Sequence, residues 1–203
     1  MGGTHASYRD VTASAHQPAV PLRLPLSFLL SGAIASVLLG IGAIFVLPLA
    51  LTDPQAMQVL TLVHTATLGW FTMTIMGAMY QLVPVVLVTR LRAVALAYSQ
   101  MALYLAGMTL LVSGFWFNAL PLLAVGGSLV VAAASVFALI LLATILLAPR
   151  RPLMAAYLIT SLLYLLLVVS LGYDCQGRTL HSLLDASLHR FQGKTAVSLE
   201  LGA

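Results

Sequence analysis

The sequence predicts an all-α protein, a polytopic transmembrane helical bundle with about five spans. Three observations carry that expectation. The 203 residues are 61% hydrophobic and only 7% charged, whereas a soluble domain carries roughly 25% charged residues. The mean hydropathy is +1.06. The apolar residues also collect in runs near the ~20 residues that cross a bilayer as a helix, with the basic residues mostly between the runs.

The chain divides into a polar cytoplasmic tail (1–24), a five-helix membrane domain (25–173) and a polar, amphipathic C-terminal tail (174–203). The first tail holds Arg9 and Arg23, and Pro18, Pro21 and Pro25 keep its end extended. The first span, about Leu26 to Leu51, has no convincing cleavage site and reads as an uncleaved anchor. Its Gly32, Ser36 and Gly40 recur at four-residue spacing. Either they let another helix approach closely, or they are simply the small residues common in spans. Thr52, Asp53 and Pro54 suit a helix start, with Thr52 or Asp53 as N-cap and Pro54 in the first turn.

The second span runs from about Gln55 to Val88. At 1.5 Å per residue it reaches ~50 Å, beyond a ~30 Å hydrocarbon core. It must tilt, protrude or kink, and Pro84 is the expected break. Arg90 and Arg92 make the next loop basic. The third span is about Ala93 to Val112. The uncharged link from Ser113 to Pro121 places Phe115, Trp116 and Phe117 in an interfacial aromatic belt. The fourth span, about Leu122 to Leu147, is rich in small residues (Gly126, Gly127, Ser128, Ala132, Ala133, Ala134, Ser135), which suits close packing. Arg150, Arg151 and Pro152 end it, and the fifth span follows from about Leu153 to Leu171.

Basic residues fall in the N-terminal tail, the second loop and the fourth loop, while the first and third loops have none. The positive-inside rule then places the N-terminus in the cytoplasm, and the chain is expected to be integral to the cytoplasmic (inner) membrane. The net charge of +4 is a topology signal and not a nucleic-acid footprint. One cysteine, Cys175, excludes an intrachain disulfide framework, and without CxxCH no covalent c-type haem is expected. In the C-terminal tail, Leu180, Leu183, Leu184, Leu188 and Phe191 are spaced for a short surface helix over 179–191. His181 and His189 read there as polar-face residues.

Function is concentrated in residues 63–88, VHTATLGWFTMTIMGAMYQLVPVVLV. His64 is the only histidine in any long apolar run. A histidine in a span is costly and usually faces the bundle interior, and imidazole is a common axial ligand of haem iron. On an α-helix, His64, Leu68, Phe71, Ile75 and Met79 share one face. That stripe suits a flat apolar ligand with the imidazole as its one polar contact. Gly69 and Gly77 let a ring or a neighbouring helix reach the backbone. The threonines 65, 67, 72 and 74 can bond their own i−4 carbonyls. Met73, Met76 and Met79 read as packing. The competing reading of His64 is a hydrogen bond to another helix.

The segment HTATLGWFTMTIMGAMYQLVPVV resembles the second transmembrane helix of haem-copper oxidase subunit I, the superfamily of cytochrome c oxidase and nitric oxide reductase. In that family a histidine near the outer end of this helix ligates the low-spin haem, and the helix leaves through a Leu-Val-Pro-like exit. The matching positions are His64, then Gly69 or Gly77, then Leu82, Val83 and Pro84. With the N-terminus inside, His64 lies about nine residues into its span, roughly 13 Å from the start and in the outer half. The resemblance covers residues 63–88, and the rest of 25–173 matches only in topology, as an N-terminal portion. It implies a haem b bound with His64 as metal ligand and Gly69 and Gly77 beside it, in an electron-transfer, respiratory-chain or gas-sensing context.

The departures limit that implication. The family has many more spans, and its copper-site histidines and later haem histidines have no counterparts here. No copper is expected from this chain, and it is incomplete as an oxidase by itself. The second axial position falls to a homodimer, to a missing subunit-I-like partner, or to water or a gas. The rival class is a scaffold, accessory subunit or assembly factor in membrane lipid, without cofactor. A transporter is disfavoured because no charged residue lies mid-span.

Overall fold

Hydrocarbon offers no partner for backbone N–H and C=O groups, so a chain this apolar must bond its backbone to itself. It does so mainly as helices in the described residues. A computed structural model describes residues 21–91, 93–148, 153, 155–168, 170–172 and 177–178. Among the described residues, five helices are long and apolar enough to cross a membrane: α1 (Arg23–Thr52), α2 (Met57–Val86), α3 (Val94–Phe117), α4 (Leu120–Leu146) and α5 (Ala155–Gly172). The fold is all-α, with no strand among the described residues. The expected amphipathic helix over 179–191 lies outside the described residues.

The outer surface confirms the solvent. Ile44 and Phe45 on α1, Val85 on α2, Leu139 on α4 and Tyr164 on α5 are all exposed. Apolar residues cover the outside of the bundle, which water would penalise and lipid does not.

The interior is built around Tyr80. Its fully buried ring lies 5.4 Å from Phe28 of α1 and 5.1 Å, edge-on, from Phe137 of α4. Its hydroxyl donates to the Gln100 side-chain carbonyl of α3 at 3.2 Å. One side chain thus ties four helices together. The most extensive pair contact is α3 with α4. A Cβ at Gly107 would lie 2.8 Å from the Val130 nitrogen, and one at Gly126 would collide with the Leu111 backbone. The expected close packing of the fourth span is therefore real, and glycine is required because backbone meets backbone.

On α1 the expected stripe divides. Gly32 is buried against Thr74 and Trp70 of α2, but nothing lies within 4 Å of a Cβ at Gly40. From Phe28 onward the buried or tightly packed positions are Phe28, Gly32, Ala35, Gly42 and Val46, which follow alternating three- and four-residue steps once the half-buried Leu39 is included. That repeat keeps one face against a neighbouring helix; a strict four-residue repeat drifts around the cylinder.

Several boundaries differ from the sequence expectation. Helix α1 begins at Arg23, inside the expected tail. Asp53 caps no helix N-terminus: its carboxylate accepts from the Gln55 N–H at 3.1 Å in a tight turn, and α2 begins at Met57 after Ala56. Helix α3 continues to Phe117, inside the expected Ser113–Pro121 link. It closes at Asn118, a left-handed residue with φ 53°. There the Ala119 N–H bonds Gly114 O at 2.9 Å and the Asn118 N–H bonds Phe115 O at 3.4 Å, the paired bonds of a Schellman end.

Candidate functional site

Helix α2 is not one continuous α-helix. Met57–His64 and Met73–Val86 are α-helical, and the eight residues Thr65–Thr72 between them form a π-helix. Pro84, the expected break, sits in the last turn, just before the helix ends at Val86. The irregularity lies instead in the middle of the span, where the sequence has no proline.

The π segment decides which residues face inward. Thr61, Thr65, Gly69 and Met73 are all buried. An α-helix advances about 100° per residue, so four-residue steps would carry Met73 about 120° around from Thr61. A π-helix, bonded i→i+5, advances less per residue and keeps the four aligned. The same change separates the expected stripe of His64, Leu68, Phe71, Ile75 and Met79. Leu68 packs on the core, whereas Phe71 and Ile75 are exposed. Phe71 stacks on Trp70, itself partly open to the outside, at 4.5 Å. The stripe is therefore not one continuous face.

Side chains of the span satisfy the backbone carbonyls. Thr61, Thr65, Thr67 and Thr74 donate to their i−4 carbonyls at 2.8–3.1 Å. Thr72, expected to do the same, donates instead to Thr67 O, five residues back, at 2.7 Å. This is the side-chain counterpart of the π register. Tyr104 of α3 donates to the Leu68 carbonyl at 3.1 Å.

His64 is the one histidine among the described residues and is half-buried. It closes the N-terminal α segment, seven residues in, about 10 Å from the helix start. Its Nδ1 lies 2.8 Å from the Leu60 carbonyl, which can only accept, so Nδ1 carries the proton. In the neutral ring that leaves the lone pair on Nε2. The imidazole stacks on Phe115, at the C-terminal end of α3, with centroids 4.4 Å apart and planes at 30°.

The two glycines meet neighbouring helices. A Cβ at Gly69 would lie 2.5 Å from Met108 Cε and 3.0 Å from Ala35 Cβ. One at Gly77 would lie 2.8 Å from Phe28 Cβ and 3.0 Å from Pro25 O. Of the two roles the sequence leaves open, α1 and α3 fill that of the approaching helix. Met73, Met76 and Met79 pack in or against the core, as expected. Met76 also accepts a long hydrogen bond from Gln100 Nε2 at 3.6 Å.

As a haem ligand set, these residues fit in part. His64 has the required arrangement, with one nitrogen fixed by a carbonyl and the other carrying a lone pair. Gly69 and Gly77 offer no room within this bundle. Among the described residues no three His, Cys, Asp or Glu side chains gather as a metal site. An apolar cleft between α2 and α5, lined by Leu82, Val83, Tyr157 and Ser161, measures about 170 Å³. It lies at the other end of α2 and is smaller than the ~300–1,000 Å³ of ordinary ligand sites.

The fold and surface define a polytopic helical membrane protein. No family model, curated protein or solved structure matches the chain.

Proposed function

We propose that this protein is an integral membrane subunit that binds a b-type haem through His64 and serves electron transfer, without being a complete oxidase. The observation that carries the reading is the contact between Nδ1 and the Leu60 carbonyl. It fixes the ring and, in a neutral imidazole, leaves the Nε2 lone pair for a metal. Phe115 covers one face of the ring and restrains its rotation. The resemblance of residues 63–88 to the haem-ligating helix of haem-copper oxidase subunit I supports the same reading. A bound haem would supply one-electron redox chemistry at this end of the bundle. A further ligand would come from His64 of a second copy, from a subunit-I-like partner, or from water or a gas.

The test is a visible absorption spectrum of the purified full chain supplied with haem. A Soret band that shifts on reduction is the expected result. Its absence, with any natural partner also present, overturns the reading.

A second reading is a scaffold, accessory subunit or assembly factor without cofactor. One observation favours it: Gly69 and Gly77 are both occupied by neighbouring helices. The same spectrum separates the two.

The basic residues of the N-terminal tail, the second loop and the fourth loop support insertion in the cytoplasmic membrane with the N-terminus in the cytoplasm.

A further inference from the structure

The π segment of α2 has no covalent cause. Thr65–Thr72 (TATLGWFT) contains no proline, and its one glycine has negative φ. π geometry is rare and mostly confined to single turns, yet here it spans eight residues. Tertiary contacts must select it. One tertiary contact is polar, and one local hydroxyl bond belongs to the same register. Tyr104 Oη donates to the Leu68 carbonyl, inside the segment, at 3.1 Å. Within the segment itself, Thr72 donates across five residues to Thr67 O. Tyr104 is fully buried. A third contact is steric: Gly69 receives the Met108 methyl group and Ala35.

The same residues carry a second inward face. In α geometry His64, Leu68, Phe71, Ile75 and Met79 align, and in π geometry Thr61, Thr65, Gly69 and Met73 align. One span thus encodes two faces, chosen by register alone.

We propose that residues 65–72 of α2 are a two-register switch, with Tyr104 as the latch that holds the π state. Release of the latch lets the segment relax to α-helix. The two halves of α2, Met57–His64 and Met73–Val86, then rotate relative to each other by more than a quarter turn. That rotation carries His64 away from Phe115, its stacking partner in the latched state. Tyr104 is a positioning residue in this scheme, since it acts on His64 only through the backbone. The proposal holds whether or not His64 binds a ligand.

The test uses the full chain in a lipid bilayer with Cys175→Ser, which removes its one cysteine. Nitroxide labels are placed singly at Val63 and at Ile75, one on each half and both exposed, 49% and 57%. Collisions with dissolved oxygen report lipid exposure. With Tyr104 present, both labels are accessible. In Tyr104→Phe, one of the two loses accessibility relative to the other as its half turns toward the core. Thr72→Val, which removes the i−5 hydroxyl bond, shifts accessibility in the same sense. If Tyr104→Phe fails to fold, Thr72→Val alone decides. Unchanged accessibility, or an equal change at both labels, in every variant that folds overturns the proposal, because loosening without rotation affects both halves alike.

Discussion

Tyr80 of α2 and Gln100 of α3 share a hydrogen bond of 3.2 Å in the centre of the bundle, and neither side chain is more than 1% exposed. Around them the partners are the rings of Phe28 and Phe137 and the Met76 sulfur. A polar pair in such surroundings is held by mutual need: each group satisfies the other where water is absent. Tyr80→Phe leaves the Gln100 carbonyl without its donor and should cost about 1 kcal/mol. Gln100→Leu strands the tyrosine hydroxyl at similar cost. The double variant should be less destabilised than the sum of the two, since no orphan remains. Denaturation of the purified protein in detergent measures all three, and simple additivity would show that the pair is uncoupled.

The glycines divide into packed and open positions, and stability should divide the same way. Gly126→Ala drives a methyl group into the Leu111 backbone, which has no flexible end to yield. It should destabilise by roughly 1–3 kcal/mol. Gly40→Leu adds its side chain to open space and should change stability by about 0.5 kcal/mol or less. Melting temperatures in detergent give the comparison. A large loss at Gly40 would mean that its face is covered.

Replacing His64 with Ala removes the Leu60 bond and the Phe115 stack but no core contact of Thr61 or Thr65. The stack contributes about 1 kcal/mol. Alanine suits a helix, so the helical circular dichroism should persist. Any bound haem should be lost with the imidazole. A variant that keeps the wild-type haem spectrum would show that another group is the ligand.

The order of basic loops fixes the expected topology. Reporter fusions after Arg92 and Arg151 should report cytoplasm, and fusions at Asp53 and Asn118 should report the outside. The reverse pattern would move His64 to the cytoplasmic half of the membrane.

The sequence by itself determined the class and the count of spans. Apolar runs of bilayer length between clustered charges admit little else, because every backbone group in hydrocarbon must be bonded within a helix. It also located the small-residue fourth span and the methionines in the core, since both follow from size and polarity alone. It marked His64 as the one imidazole in a span. The tertiary structure decided orientation within the helices. Gly32 packs while Gly40 does not, because α1 meets its neighbours along alternating three- and four-residue steps. Asn118 ends α3 five residues late, because the left-handed turn there satisfies the carbonyls of Gly114 and Phe115. The π register of Thr65–Thr72 left no mark in the periodicity, which reads as an α-helix throughout. Its stabilising contacts come from Tyr104, Met108 and Ala35 on other helices, and only the assembled bundle brings them to it.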